Sequence, residues 1–322
     1  MGLISFIEGA GKKLFGKDEK VQQAQTPKTK TELLKAEMKI HLVKNFGALL
    51  LMTIMSINVI AQNTRTGYVI EPDYKLTAVA EMGFIGVLGH KVKFGNNGTY
   101  FDYKKDGGQD VLFPIIRPSL ELEYKKRNTF IFLYQPLTIA SQVYLDKDLI
   151  VDNLVYPATS SVKLLYNFPF YRFSYLRDVL PNAKKLDFAI GGTIQIRNAT
   201  ISFESLDGSG YRTNRDVGIV PALKIRSKYT VNPWSYLELE ADGIYAPVSY
   251  LNGSSTEIVG AILDASVRGG IKLTDNVHSF LNLRYLGGGA VGTSKNPQGP
   301  SDGYVKNWLH FGTVSAGFKY GF

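Results

Sequence analysis

Apolar and polar residues alternate with a period of two through much of this chain. In LDFAIGGTIQIR (residues 186–197) the large apolar side chains stand at even positions, and the residues between them are small or polar. Successive side chains of a β-strand point to opposite faces of the sheet, so this segment is predicted to be a strand with one apolar face. The same pattern recurs in residues 119–124, 217–229, 235–245 and 263–273. An all-β protein is therefore predicted.

The connections between the predicted strands alternate between short turns and long loops. The strands are predicted at residues 76–94, 112–125, 129–145, 161–178, 185–204, 216–230, 234–247, 260–273, 277–287 and 308–322. Tight turns on one side and long loops on the other are typical of a closed antiparallel up-and-down transmembrane β-barrel. We predict about ten strands, and a count of eight or twelve would fit the same pattern.

The polar faces of two neighbouring strands carry opposite charges. If the VNPW turn (residues 231–234) places Lys228 opposite Tyr236, then Arg226 lies opposite Glu238 and Lys224 opposite Glu240. Opposite charges across an antiparallel pair stabilise it. Since small barrels fill their interiors with side chains, these residues are predicted to form a charge ladder in the lumen. The predicted ladder comprises Lys224, Arg226, Lys228, Glu238, Glu240 and Asp242, joined by Glu121, Glu123, Asp264, Arg268 and Arg284.

The alternation alone would also fit a water-soluble barrel or sandwich with its apolar face inside. Aromatic residues at strand ends favour the membrane alternative, because such residues form girdles at both membrane interfaces. They are Tyr229, Trp234, Tyr245, Tyr285 and Trp308.

The chain divides into three segments by composition. Residues 1–37 read as an amphipathic stretch followed by a polar linker. Residues 38–61 have basic residues, then sixteen uncharged residues from Phe46 to Ala61, which predicts a helical signal peptide cleaved after Ala61. A retained signal-anchor helix is the alternative. Residues 62–322 are then the barrel domain, and export of this domain agrees with a membrane barrel.

The chain ends in TVSAGFKYGF, whose alternate residues Phe318, Tyr320 and Phe322 are aromatic. This ending resembles the C-terminal recognition signal of Gram-negative outer-membrane β-barrel proteins. The resemblance implies insertion by the barrel-assembly machinery and a location in the cell outer membrane. Separately, MGLISFIEGAGKKLFG (residues 1–16) resembles the N-terminus of small bacterial BON/LysM proteins, and this likeness implies no activity. The last strand is also predicted to pair with the strand at residues 76–94 and close the barrel.

Catalytic chemistry is not predicted. The chain has no cysteine, which excludes disulfides, thiolate metal sites and a Cys nucleophile, and it has only four histidines. By strand parity His310 and His90 are predicted to face outward, and His278 inward beside a short turn. A serine nucleophile needs a histidine within hydrogen-bond reach. No enzyme activity, cofactor or metal is therefore expected, although an outer-membrane lipid-modifying hydrolase or acyltransferase remains an alternative.

The sequence predicts a small, mostly plugged barrel that acts through its outer loops or a narrow polar path. The loops in question are GNNGTYFDYKKDGGQD (residues 95–110) and GTSKNPQGPSDGY (residues 292–304), since loops on a rigid scaffold often carry recognition. A narrow porin-like channel is the other alternative. The net charge is +9, but the basic residues are spread among the strands, so nucleic-acid binding is not expected. Outer-membrane lipid is the expected surrounding, and a monomer the expected state.

Overall fold

A computed structural model describes residues 73–247, 258–293 and 301–322. The strands are β1 (Tyr74–Phe94), β2 (Phe101–Asp102), β3 (Leu112–Tyr124), β4 (Asn128–Gln135), β5 (Thr138–Tyr144), β6 (Leu149–Val151), β7 (Leu154–Tyr156), β8 (Ser161–Asn167), β9 (Phe170–Asp178), β10 (Leu186–Ser205), β11 (Tyr211–Asn232), β12 (Ser235–Pro247), β13 (Val259–Lys272), β14 (Val277–Thr293) and β15 (Tyr304–Gly321). Within this described part, no helix has the length and apolarity needed to cross a membrane.

Ten of the strands close into an antiparallel barrel. Their order around the barrel is β1, β3, β4, β9, β10, β11, β12, β13, β14 and β15. The barrel closes between its first and last strands, which pair from Thr77 with Gly321 to Phe94 with Val305. The predicted fold class, strand number and closing pair are confirmed. Below, the inner end is the end with the short turns, and the outer end is the end with the long connections.

Two predicted strands are each broken in two. The segment predicted at 129–145 becomes β4 and β5, with Pro136 between them, and that at 161–178 becomes β8 and β9, with Pro169 between them. Proline has no N–H to donate to a ladder, so it interrupts a strand that pairs on both sides. Beyond the breaks, β5 pairs with β8, and β8 with the outer part of β10.

The breaks leave a seam in the outer half of the wall. Residues 112–118 of β3 pair with β1, but in the described part of the chain they do not pair with β5. Pro114 and Pro118 both lie in this stretch, and the ladder with β1 is unbroken across them, so the missing N–H groups belong to the edge facing β5. The loop before β3 covers part of the β5 edge, where the Ser141 hydroxyl donates to the carbonyl oxygen of Gly107 at 2.5 Å.

Along a single strand, the two faces exchange their chemical character. On β10 the odd-numbered residues point inward throughout: Thr193 and Gln195 near the inner end, then Ile201 and Phe203 near the outer end. The outward residues change the opposite way, from exposed Ile190, Ile194 and Ile196 to Asn198 and Glu204. The barrel is therefore apolar outside and polar inside over its inner part, and apolar inside over its outer part.

The apolar outer interior forms one continuous core. It includes Ile85, Val92, Ile139, Leu164 and Phe203, each at most 2% exposed. Burial of this surface stabilises the outer end in the way a soluble β-protein is stabilised.

A short hairpin of β6 and β7 caps the outer end. The Asp152 N–H donates to the carbonyl oxygen of Phe94 at 3.0 Å, and the Thr99 N–H donates to that of Ile150 at 2.8 Å. The buried Asp152 carboxylate accepts from the Arg212 guanidinium and, at 2.7 Å, from the Ser301 hydroxyl. Two long loops and the hairpin are thus tied together over the barrel.

Candidate functional site

A dense network of ion pairs occupies the inner part of the lumen. The Arg226 Nη1 donates to Glu121 Oε2 across the barrel at 2.9 Å, joining β11 to β3. Arg172 on β9 donates to Asp264 on β13, and Lys319 Nζ lies 3.2 Å from Glu238 Oε2. These pairs link strands on distant parts of the wall, so the side chains cross the lumen and fill it. The charged members are Glu81, Arg117, Glu121, Arg172, Lys224, Arg226, Glu238, Glu240, Asp242, Asp264, Arg268, Arg284 and Lys319.

All the predicted ladder residues except Lys228 and Glu123 are members of this network, but the predicted register is wrong. Lys228 lies opposite Glu238, Arg226 opposite Glu240, and Lys224 opposite Asp242. The pairing continues to Asn232 and Ser235, so the turn is shorter than predicted and each pair is displaced by two residues, which keeps the charged face inward.

Their individual contacts differ from simple cross-strand pairs. Lys224 Nζ lies 2.7 Å from Glu240 Oε1 and 2.8 Å from Asp242 Oδ2. Glu238 accepts from Arg268 as well as from Lys319. Lys228 Nζ lies over the Tyr236 ring, 5.2 Å from its centroid.

Some members of the network were missed by sequence reasoning. Glu81, Arg117 and Arg172 are isolated charges in strands that otherwise look apolar or aromatic. The signal that could have found them is parity, because Glu81 shares the inward face with Val79 and Ile85. Glu81 accepts from the Asn282 amide at 2.8 Å and from the Ser315 hydroxyl at 2.5 Å.

His90 faces the interior, so the prediction that it faces outward is wrong. A bulge at Leu88 inserts one residue into β1 between the pairs Val87–Phe311 and Gly89–His310, and this reverses the parity beyond it. The imidazole is fully buried, stacks on Tyr103 with 4.4 Å between ring centroids, and meets Tyr166 edge-on at the same distance. Its Nδ1 lies 2.9 Å from Gln109 Oε1.

Two buried polar atoms beside His90, Tyr103 Oη and Gln109 Nε2, have no hydrogen-bond partner among the described residues. The partner of His90 is an amide rather than a carboxylate, which does not fit a base for a serine nucleophile.

The other two histidines lie where parity predicted them. His310 is exposed on the outer face, and its Nδ1 lies 2.6 Å from the Tyr285 hydroxyl. His278 lies near the inner end, with its ring centroid 6.0 Å from that of Tyr236. Among the described residues, no group of three His, Asp or Glu side chains could hold a metal ion.

An open groove of about 790 Å³ lies on the outer end beside the bulge in β1. Lys91, Lys104 and Lys105 line it, together with Asp102 and Asp110. Its remaining lining residues are Leu88, Gly89, His90, Tyr100, Trp308 and His310. We call this the lysine groove. Much of the groove is formed by loop 95–110. This loop is one of the two that the sequence predicted to carry recognition.

The remaining predicted residues lie at the end of the last strand or outside the residues that the structure describes. Phe318 is exposed on the outward face of β15, Tyr320 is half-buried near its end, and Phe322 follows its last residue. Ala61 and the segments 1–37 and 38–61 lie outside the described residues.

The sequence matches no protein-family model and no curated protein. Among solved structures it is similar to the outer membrane protease OmpT of Escherichia coli, with 13% identity, TM-score 0.42, and coverage of 80% of this chain and 99% of that one. It is also similar to a FadL homologue of Pseudomonas aeruginosa, with 8% identity, TM-score 0.34, and coverage of 77% of this chain and 90% of that one. A third similar structure is Ail, the attachment invasion locus protein of Yersinia pestis, with 9% identity, TM-score 0.30, and coverage of 76% of this chain and 99% of that one. These neighbours are outer-membrane β-barrels of Gram-negative bacteria.

At these low identities and TM-scores, the similarities give no information about the activity of this chain. The resemblance of residues 1–16 to BON/LysM proteins finds no support in the comparisons.

Proposed function

We propose that this protein is an outer-membrane β-barrel with a closed lumen, which acts by binding at its outer end rather than by conducting solutes. The observation that carries the proposal is the set of buried ion pairs that cross the inner lumen, with an apolar core and a cap above them. Water-filled channels need a continuous polar path. Here the polar part is filled by side chains, and the part above it is apolar.

The outward surface supports the membrane location. Large apolar side chains are exposed along most barrel strands, including Met82, Ile194, Leu223, Leu281 and Val314. A continuous exposed apolar band of this kind on a closed barrel suits contact with lipid. β10 has 20 residues, whereas about 10 tilted residues suffice to cross the hydrocarbon, so its outer part projects beyond the bilayer.

The proposal includes insertion by the barrel-assembly machinery through Phe318, Tyr320 and Phe322. Phe318 presents its ring on the outward face of the closing strand, as a lipid-facing residue should. We expect Phe322→Lys to lower the amount of assembled barrel in outer-membrane fractions, whereas Lys319→Arg, on the inward face, should not. Equal amounts of assembled barrel for the wild type and Phe322→Lys would contradict this part of the proposal.

The closed lumen is tested by planar-bilayer recording on the purified, heat-modifiable protein. We expect no stepwise conductance under conditions in which a bacterial porin, reconstituted in parallel, gives clear steps. Reproducible steps from folded protein would overturn the closed lumen and favour a narrow porin-like channel. Recovery of the barrel domain as a soluble monomer would overturn the membrane location.

A further inference from the structure

Next to the lysine groove, two lysines face each other across a pair of strands. Lys93 and Lys306 are direct register partners on the outward face of β1 and β15. Like charges opposite each other destabilise an antiparallel pair. Among the described residues, Asp302 attracts Lys93, but no carboxylate forms a close ion pair with either lysine. A bound anion would remove this repulsion.

Aromatic rings hold these lysines at one place. Two ammonium groups lie near the Tyr100 ring, with Lys306 Nζ 5.1 Å and Lys91 Nζ 5.9 Å from its centroid. Lys93 Nζ lies 5.9 Å from the centroid of Tyr304. Contacts of this kind stabilise a cation near a ring without neutralising its charge.

Loop 95–110 brings two more lysines to the same groove. The N–H groups of Lys104 and Lys105 both donate to Asp102 Oδ1, at 3.0 and 3.2 Å, which fixes the turn that carries them. Asp102 also lies 3.9 Å from Lys91 Nζ, so it is already engaged by three residues. Five lysines, counting Lys93 and Lys306 next to the groove, therefore lie near three carboxylates, those of Asp102, Asp110 and Asp302.

The groove lies at the upper limit of the apolar band. Lys91 pairs with Trp308, and the next outward residues toward the inner end are His310 and exposed Leu88. Tryptophan is enriched where hydrocarbon meets the polar head groups, and lysines near that level attract anionic lipid. The volume of the groove, about 790 Å³, exceeds what a single phosphate needs. The rings of Tyr100 and Trp308 offer apolar faces beside the charges.

We propose that the lysine groove binds the phosphorylated sugar head group of a glycolipid in the outer leaflet, with the phosphate between Lys91, Lys93 and Lys306. The acyl chains would descend along Leu88 into the bilayer. This inference rests on the proposed outer-membrane location, but it does not depend on whether the lumen conducts. The closed lumen and the lipid site can therefore be contradicted independently, the first by bilayer recording and the second by lipid binding.

The test measures retention of lipid by the intact barrel in detergent, using native mass spectrometry. The probes are diphosphoryl lipid A and the same lipid with its phosphates removed. We expect wild type to retain the phosphorylated form preferentially. The variant Lys91→Gln/Lys306→Gln should weaken this binding about 30-fold, the effect of removing two lysines at a membrane surface. The control Lys184→Gln/Lys185→Gln makes the same charge change in an inner-end turn and should bind as wild type.

Three results would overturn the proposal. Equal retention of both lipids would show that phosphate is not recognised. Equal loss in the groove variant and the control would indicate general charge attraction. Full competition by millimolar inorganic phosphate would assign the groove to a soluble anion instead. Heat-modifiable migration of every variant on gels establishes that the comparison is made between folded barrels.

Discussion

At the scale of single residues, Arg268 shows how the filled lumen depends on pairing. Its guanidinium donates to Glu238, lies 3.6 Å from Glu81 Oε2, and packs over the Phe280 ring with its Cζ 4.4 Å from the ring centroid. Removing one partner of a buried ion pair leaves an uncompensated charge, which costs more than the pair itself contributes.

Arg268→Met should therefore lower the free energy of unfolding by about 3–5 kcal/mol. Lys272→Met on the same strand is the control. Its partner Asp275 lies in an exposed turn, and exposed pairs contribute about 0–1 kcal/mol. Urea titration in lipid vesicles measures both. Similar losses for the two variants would show that the network does not carry the stability assigned to it.

At the scale of elements, the strands could be predicted well and their irregularities could not. Alternation placed the ten barrel strands because one face of each must meet a different environment from the other. The bulge at Leu88 escaped detection because Val87, Leu88 and Gly89 carry no polar residue that would reveal a change of parity. The error on His90 follows directly from that one extra residue.

The bulge makes a specific prediction about deletions. Removing Leu88 restores regular pairing and leaves His90, Val92 and Phe94 facing inward, so the barrel should remain heat-modifiable on gels. Removing Gly192 from β10, where the pairing has no register shift, turns every later residue to the wrong face. This deletion loses a smaller side chain, yet it should abolish the folded band. Loss of the band with the Leu88 deletion alone would contradict the bulge.

The period-two pattern also could not predict where prolines interrupt the strands. Pro114, Pro118, Pro136 and Pro169 were visible in the sequence, but which edge of each strand they face depends on neighbours far away in the chain. The register of β3 with β1 settles that question for Pro114 and Pro118. Likewise, the cross-lumen pairs depend on the closed ring, which brings β11 near β3.

At the scale of the whole molecule, the inversion of polarity along the barrel is the main departure from the sequence expectation. The sequence predicted a polar, charged lumen, and no apolar part was predicted. Over the outer part the inward residues are instead Ile, Leu, Phe and Tyr, as expected if that part projects beyond the bilayer, as proposed, and buries its own core. The apolar residues at inward positions near 199–203 could be seen in the sequence. Alternation shows that the two faces of a strand differ, but it does not predict which face contacts water.

The inversion predicts opposite outcomes for the same new residue on one strand. Ile190 and the Glu204 side chain are exposed to a similar extent, 46% and 50%. Ile190→Lys places a charge against lipid and should cost about 2–4 kcal/mol, whereas Glu204→Lys, in water, should cost about 0–1 kcal/mol. Unfolding in vesicles measures the difference, and equal costs would mean that the apolar band does not contact lipid.

The constant parity of β10 has a consequence for membrane matching. Replacing Asn198 and Thr200 by aliphatic residues would lengthen the lipid-compatible surface by about 13 Å along the strand without moving an inward side chain. Hydrophobic thickness and internal packing are thus encoded in separate sets of positions. A protein with this architecture can be adapted to a thicker or thinner bilayer by exterior substitutions alone.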